Sequence, residues 1–169
     1  MGHTLHTLRL GRNRLDLCRG PLVWFKSLKS LHTLSLKSTK LRVLDPSVSV
    51  LSSLELFEIQ NNRLTALPDT ICRCRRLKRL LADSNRITDL PERIGELTAL
   101  VDLWIDYNAV ELIPESFSAL RKLVTFKATR NGIYNLPDSF TRLGKLQVLT
   151  LSCNGKSSAA AAGRTRGSL

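Results

Sequence analysis

A repeat of 23 residues is the feature that most constrains the fold of this chain. The template L-x-x-L-x-L-x-x-N-x-L-x-x-L-P-x-x-I/F-x-x-L-x-x begins at Leu31, Leu54, Leu77, Leu100 and Leu123. A first unit from Leu5 runs 26 residues, and a half-unit begins at Leu146. These units account for most of the 33 leucines among 169 residues. A fixed period of about 20–50 residues indicates stacked units, each of which contacts only its neighbours.

The repeat also assigns roles to its polar and proline positions. The segment L-x-x-L-x-L predicts a short strand because its apolar residues alternate with period two. The template asparagine carries a side-chain amide that can form hydrogen bonds with backbone groups where the chain leaves the strand. Proline begins the return segment, where its missing N–H is tolerated. The second unit departs from the template, with Thr39 in place of Asn and Pro46 one residue late.

With Leu-Pro following Asn-x-Leu, the repeat resembles the intracellular Ras-group leucine-rich repeats of the Scribble and erbin type. The resemblance covers about residues 5–154. It implies an α/β solenoid, a horseshoe with a parallel sheet of about seven short strands on its concave face. Irregular and 3-10 segments would form the convex face. It also implies a non-catalytic scaffold for protein–protein interaction in signalling, with a small GTPase or another signalling protein as partner.

The repeats predict one domain and a tail. Residues 1–154 are expected to form the solenoid, and residues 155–169 a disordered, low-complexity tail. Neither end of the solenoid has an evident polar cap, although an uncapped end exposes apolar core and a strand edge. A fragment of a longer repeat protein is the favoured interpretation. Self-association through the ends, or a tail folded over the last strand, are the alternatives.

The outward positions of the strands predict a binding site on the concave face. Its apolar centre comprises Leu56, Leu81 and Trp104, with Tyr107 at a strand exit. Acidic side chains surround this centre, namely Glu58, Asp83, Asp102 and Asp106. An apolar centre with a charged rim is typical of a protein–protein hot spot, and the acidic rim predicts a basic patch on the partner. The alternative is that these are ordinary scattered surface residues.

Net charge suggests a second function. The chain has a formal net charge of +12 at pH 7 and a pI of about 10.2. Residues 1–44 contain nine basic and one acidic residue, as do residues 116–169, whereas residues 83–115 contain two basic and eight acidic residues. Association with nucleic acid through the basic ends is therefore the alternative function. A convex basic cluster, Arg73, Arg75 and Arg76, is interpreted either as a phosphate site or as a solvated outer surface.

No pattern for catalysis, cofactor binding or metal binding is present. The three histidines all lie in the first 32 residues without a nucleophile or acid placed beside them by a motif. Cys18 and Cys74 occupy apolar template positions and are expected in the core. No apolar run reaches the length of a membrane span, and no signal peptide is evident. We therefore expect a cytoplasmic protein that is not an enzyme.

Overall fold

The structure is a computed structural model that describes residues 4–17 and 27–155. These residues form one sheet of seven parallel strands, in which each strand pairs with the next along the chain. The strands are β1 (Thr7–Arg9), β2 (Thr33–Ser35), β3 (Leu56–Glu58), β4 (Arg79–Leu81), β5 (Asp102–Trp104), β6 (Thr125–Lys127) and β7 (Val148–Thr150). The predicted solenoid is confirmed.

Strand register follows the repeat, because equal template positions lie side by side. Leu56 pairs with Arg79, and Arg79 pairs with Asp102. Glu58 pairs with Leu81, and Leu81 with Trp104. Residues 23 apart in sequence are therefore neighbours across the sheet, and the sequence spacing converts directly into rows on the concave face.

Short 3-10 segments return the chain along the convex side. They are Leu15–Leu17, Pro46–Val50, Asp69–Arg73, Ile94–Glu96, Glu115–Ala119 and Asp138–Arg142. Pro68, Pro114 and Pro137 each stand immediately before a segment, with φ between −67° and −64°. This φ is the value that the proline ring imposes, so these residues set the start of each return segment. The described ranges contain no α-helix.

The core lies between the sheet and the 3-10 segments. The middle residue of each inner strand is fully buried, as Leu34, Phe57, Leu80, Leu103 and Phe126 show. Cys74 is buried as predicted, and Cys72 is buried as well, although the template gives it no core position. In β7 the corresponding Leu149 is 42% exposed, because no eighth strand covers it among the described residues.

The asparagines form the predicted ladder at the strand exits. The Nδ2 group of Asn85 donates to the carbonyls of Ile59 and Ala82 at 3.0 Å, and its Oδ1 accepts from Leu64 N at 3.1 Å. Where Thr39 replaces the asparagine, its hydroxyl donates to Leu36 O at 2.7 Å. The ladder thus pairs backbone groups of two consecutive repeats inside the stack.

Two predictions fall outside the described residues. They concern Cys18, which is expected in the core, and residues 156–169 of the expected disordered tail 155–169. Within the described ranges, no helix has the length and apolar character needed to cross a bilayer.

Candidate functional site

The sheet gathers the predicted site residues on neighbouring strands. Leu56 and Glu58 lie on β3, Leu81 on β4, and Asp102 and Trp104 on β5. Asp83, Asp106 and Tyr107 follow the ends of β4 and β5. Parallel strands stand about 4.8 Å apart. All eight residues therefore share one region of the concave face, which we call the β3–β5 site.

Leu81 corrects the expectation of an exposed apolar centre, because this side chain is only 6% exposed. It pairs in register with Glu58 on one side and with Trp104 on the other, so these two side chains flank it. Leu56 is half-buried. The apolar centre of the site is therefore less exposed than the sequence predicts.

Trp104 is half-buried and is covered on one ring face. The Lys127 ammonium lies 4.0 Å from the centre of the indole ring, which is a cation–π contact. The Nε1 atom of Trp104 is buried and has no acceptor among the described residues. A buried donor without an acceptor costs about 1–3 kcal/mol of folding free energy.

Tyr107 is the most exposed large side chain of the site, at 54%. Its backbone is left-handed, with φ of 57°. The same template position is left-handed in the other repeats, at Arg12, Ser38, Asn61, Ser84, Arg130 and Cys153. A bulky aromatic residue is disfavoured in this conformation, whereas asparagine is enriched in it. The Arg130 guanidinium lies 5.3 Å from the Tyr107 ring.

The acidic rim is partly neutralised by groups of the chain itself. Arg79 Nε lies 3.0 Å from Asp102 Oδ2. Asp83 Oδ1 accepts a hydrogen bond from Asp106 N at 3.1 Å, and Asp106 Oδ1 accepts one from Thr129 N at 2.6 Å. The two carboxylates therefore help to hold the strand exits together, and the rim is less negative than the sequence alone indicates.

Burial raises the pKa of the Asp83 carboxyl to about 6. The hydrogen bond from Asp106 N opposes this shift, whereas the Asp106 carboxylate adds to it. Because the folded-state pKa lies above the unfolded value of 3.8, the folded chain holds this proton more tightly. The contribution of Asp83 to the free energy of unfolding is therefore present at low pH and is lost as the pH rises from about 4 through about 6.

The Asp83→Asn variant tests this cost of ionisation. The amide oxygen can still accept from Asp106 N, but the buried charge is removed. The stability of the variant relative to wild type is expected to be about 1–2 kcal/mol greater at pH 8 than at pH 4, a value reduced from the full pKa shift because the side chain is partly exposed. Urea denaturation of both proteins at the two pH values measures this gain. An equal difference between the proteins at pH 4 and pH 8 would show that Asp83 is not a buried titrating group.

The two buried cysteines, Cys72 and Cys74, are not activated as nucleophiles. Burial raises the pKa of Cys72 and Cys74 to about 11, so both thiols stay protonated at neutral pH. In the part of the chain that the structure describes, no group of three histidine, cysteine or acidic side chains could hold a metal ion. The side chains of the β3–β5 site offer aromatic contact, hydrogen bonding and charge.

Sequence reasoning missed three basic side chains that belong to this site, Arg79, Lys127 and Arg130. Each contacts a predicted residue, namely Asp102, Trp104 and Tyr107 respectively. The signal was present in the repeat, because each basic residue lies 23 positions from the residue it contacts. Arg79 and Lys127 stand in the outward strand rows of the repeat, but only their contacts with Asp102 and Trp104 show that the rim carries both signs of charge.

Comparison with known proteins supports the fold. The sequence profile of the family described as Leucine rich repeat matches residues 30–87. A leucine-rich repeat protein of Leptospira interrogans is 30% identical, with a TM-score of 0.84, over 94% of this chain and 40% of that one. An internalin from Listeria monocytogenes is 24% identical, with a TM-score of 0.75, over 90% of this chain and 43% of that one.

A third similar structure is the leucine-rich repeat ectodomain of the plant membrane receptor kinase GASSHO1/SCHENGEN3 from Arabidopsis thaliana, solved in complex with CASPARIAN STRIP INTEGRITY FACTOR 2. It is 27% identical, with a TM-score of 0.78, over 89% of this chain and 18% of that one. No curated protein sequence matches the chain.

The chain thus spans less than half the length of each of these solved structures. Leucine-rich repeats generally mediate protein–protein interaction, and they are typically not catalytic. The repeat spacing, the asparagine ladder, the seven-stranded parallel sheet and these similarities together identify the chain as a leucine-rich repeat protein.

Proposed function

We propose that the chain binds a partner protein through the β3–β5 site, with Tyr107 and Trp104 as its principal contacts. The observation that carries this proposal is the exposure of Tyr107, a large aromatic side chain held in a left-handed backbone conformation. Every repeat has a left-handed residue at this position, so the backbone alone marks no site. An exposed aromatic side chain at this position does, because tyrosine and tryptophan are enriched at interaction hot spots. The strain at Tyr107 would then be tolerated because the aromatic ring is needed for contact.

The surroundings of the two aromatic residues suggest the chemistry of the partner. Glu58 and Asp106 favour a basic patch on the partner. Lys127 and Arg130 already cover one side of the aromatic pair, so the basic patch would lie on the β3–β4 side.

The setting we propose is intracellular signalling, as the resemblance to the Ras-group repeats suggests, with a small GTPase or another protein bearing a basic patch as partner. The cysteines support a cytoplasmic location. Cys153 is an exposed thiol, and Cys72 and Cys74 are buried thiols, as suits a reducing compartment. The chain would act as a non-catalytic scaffold. No comparison supports the alternative of nucleic-acid association through the basic ends.

Site-specific photo-crosslinking tests the proposal. A benzophenone amino acid is placed at position 107 in one variant and at exposed Arg73, on a convex 3-10 segment, in another. A partner bound at the β3–β5 site is expected to crosslink from position 107 and not from position 73. Crosslinking of the partner from position 73 alone would place the binding surface on the convex side and refute the proposal.

A further inference from the structure

A shallow cavity rich in arginine is lined by residues from the segments that follow β2, β3 and β4. Arg42, Arg63 and Arg86 line it together with Val43 and Thr65, and its volume is about 270 Å³. All five residues are exposed. We call this surface the arginine cavity. It involves none of the eight residues of the β3–β5 site.

The repeat places two of these arginines in consecutive layers of the stack. Arg63 follows Asn62, and Arg86 follows Asn85, so both occupy the same template position. Their backbone N–H groups are fixed by hydrogen bonds across the repeats, from Arg63 to Leu41 O at 2.7 Å and from Arg86 to Leu64 O at 2.8 Å. Adjacent layers stand roughly 4.8 Å apart. The backbone hydrogen bonds thus hold the Cα atoms of the two arginines in adjacent layers.

The positive charge of the arginine cavity is not compensated. Among the described residues, none of the three arginines forms an ion pair. By contrast Arg14, at the same template position of the first repeat, pairs with Asp16 at 3.3 Å. The later repeats carry Ala109 and Gly132 at this position, so stacking does not require arginine there. Three clustered like charges repel one another, and a bound anion would remove that repulsion.

We propose that the arginine cavity binds a multiply charged anion of the phosphate class. The planar guanidinium group matches phosphate with two parallel hydrogen bonds, and the Thr65 hydroxyl adds a neutral donor. A single carboxylate would balance only one of the three positive charges, whereas a diphosphate balances most of them. This site is independent of the proposed protein-binding function, because it lies on other residues.

Calorimetric titration with inorganic pyrophosphate at low ionic strength tests the proposal. Wild type is expected to bind, and the double variant Arg63→Gln/Arg86→Gln to bind at least tenfold more weakly. The matched control is Arg73→Gln/Arg76→Gln, which loses the same charge from exposed convex positions. This control is expected to bind within twofold of wild type. Absence of pyrophosphate binding by wild type, or equal weakening in both double variants, would overturn the proposal.

Vesicles distinguish the source of the phosphate group. Binding to vesicles containing phosphatidylinositol bisphosphate but not to phosphatidylcholine vesicles, lost in Arg63→Gln/Arg86→Gln, would support a lipid headgroup as the natural anion. Pyrophosphate binding without vesicle binding would support a soluble phosphorylated ligand. Vesicle binding by a wild-type chain that does not bind pyrophosphate would contradict the site, because a diffuse basic surface then explains the result.

Discussion

Replacing Gly95 with alanine is expected to destabilise the fold by about 3–5 kcal/mol. Gly95 lies in the 3-10 segment Ile94–Glu96, which packs against the next segment, Glu115–Ala119. A Cβ atom at this position would stand 2.0 Å from Ser116 O and 2.9 Å from Ser116 C. Both are backbone atoms and cannot rotate away. The substitution must therefore push two layers of the solenoid apart.

A matched control for Gly95→Ala is available in the same chain. Gly144 is exposed, and a Cβ atom built there meets nothing within 4 Å. Gly144→Ala is expected to change the unfolding free energy by no more than about 0.5 kcal/mol, or to stabilise slightly by restricting the unfolded chain. Urea denaturation monitored by circular dichroism compares the two variants. If the two variants unfold at the same urea concentration, a Cβ atom at position 95 does not clash with the Ser116 backbone.

Replacing Asn62 with alanine is expected to cost about 3–5 kcal/mol, because this residue is the most buried member of the asparagine ladder. Its Oδ1 accepts from Thr39 N at 3.0 Å and from Leu41 N at 3.1 Å. Alanine leaves both backbone N–H groups buried without a partner, at about 1–3 kcal/mol each. The departure of the second repeat from the template adds to this dependence, since the Thr39 hydroxyl also lies within hydrogen-bond distance of Asn62 Oδ1, at 3.0 Å.

Asn13→Ala provides the comparison for Asn62→Ala. Asn13 holds the same template position but is exposed, and its Nδ2 donates a hydrogen bond to Leu10 O at 2.9 Å. Its loss is expected to cost about 0.5–1.5 kcal/mol. Thermal or chemical unfolding of both variants gives the two values. Similar costs at the two positions would contradict the account of Asn62 as a residue that satisfies two repeats.

The regular part of the fold was predictable from the sequence because it depends on spacing alone. Apolar residues such as Leu80 and Leu103 recur with the repeat, and the repeat of 23 residues fixes the register that places them side by side. The asparagine ladder and the proline starts follow for the same reason. Each layer repeats one local solution to backbone hydrogen bonding, so a single unit predicts the others.

The departures depend on pairs of side chains in neighbouring layers, which a template cannot show. Leu81 lies at an outward template position, yet it is only 6% exposed, with Glu58 and Trp104 on either side in its row. Gly95 is required by the approach of one particular carbonyl, whereas Cys72 and Ser118 occupy its template position in adjacent repeats. The charge of the rim was overestimated because partners such as Arg79 lie one repeat away.

We propose that the β3–β5 site binds a protein through Tyr107. The Tyr107→Asn variant separates this binding from folding. Asparagine tolerates the left-handed backbone at φ of 57° better than tyrosine does. We expect the variant to be as stable as wild type, or more stable by about 0.5–1 kcal/mol, since relief of such strain is worth a fraction of 1–3 kcal/mol.

The most direct measurement is the dissociation constant of the crosslinked partner for wild type and for Tyr107→Asn, with the stability of both proteins measured in the same buffer. Binding is expected to weaken at least tenfold in the variant, as for the loss of a hot-spot aromatic residue, while stability is retained or increased. A Tyr107→Asn chain that is folded and binds its partner as tightly as wild type does would contradict the account.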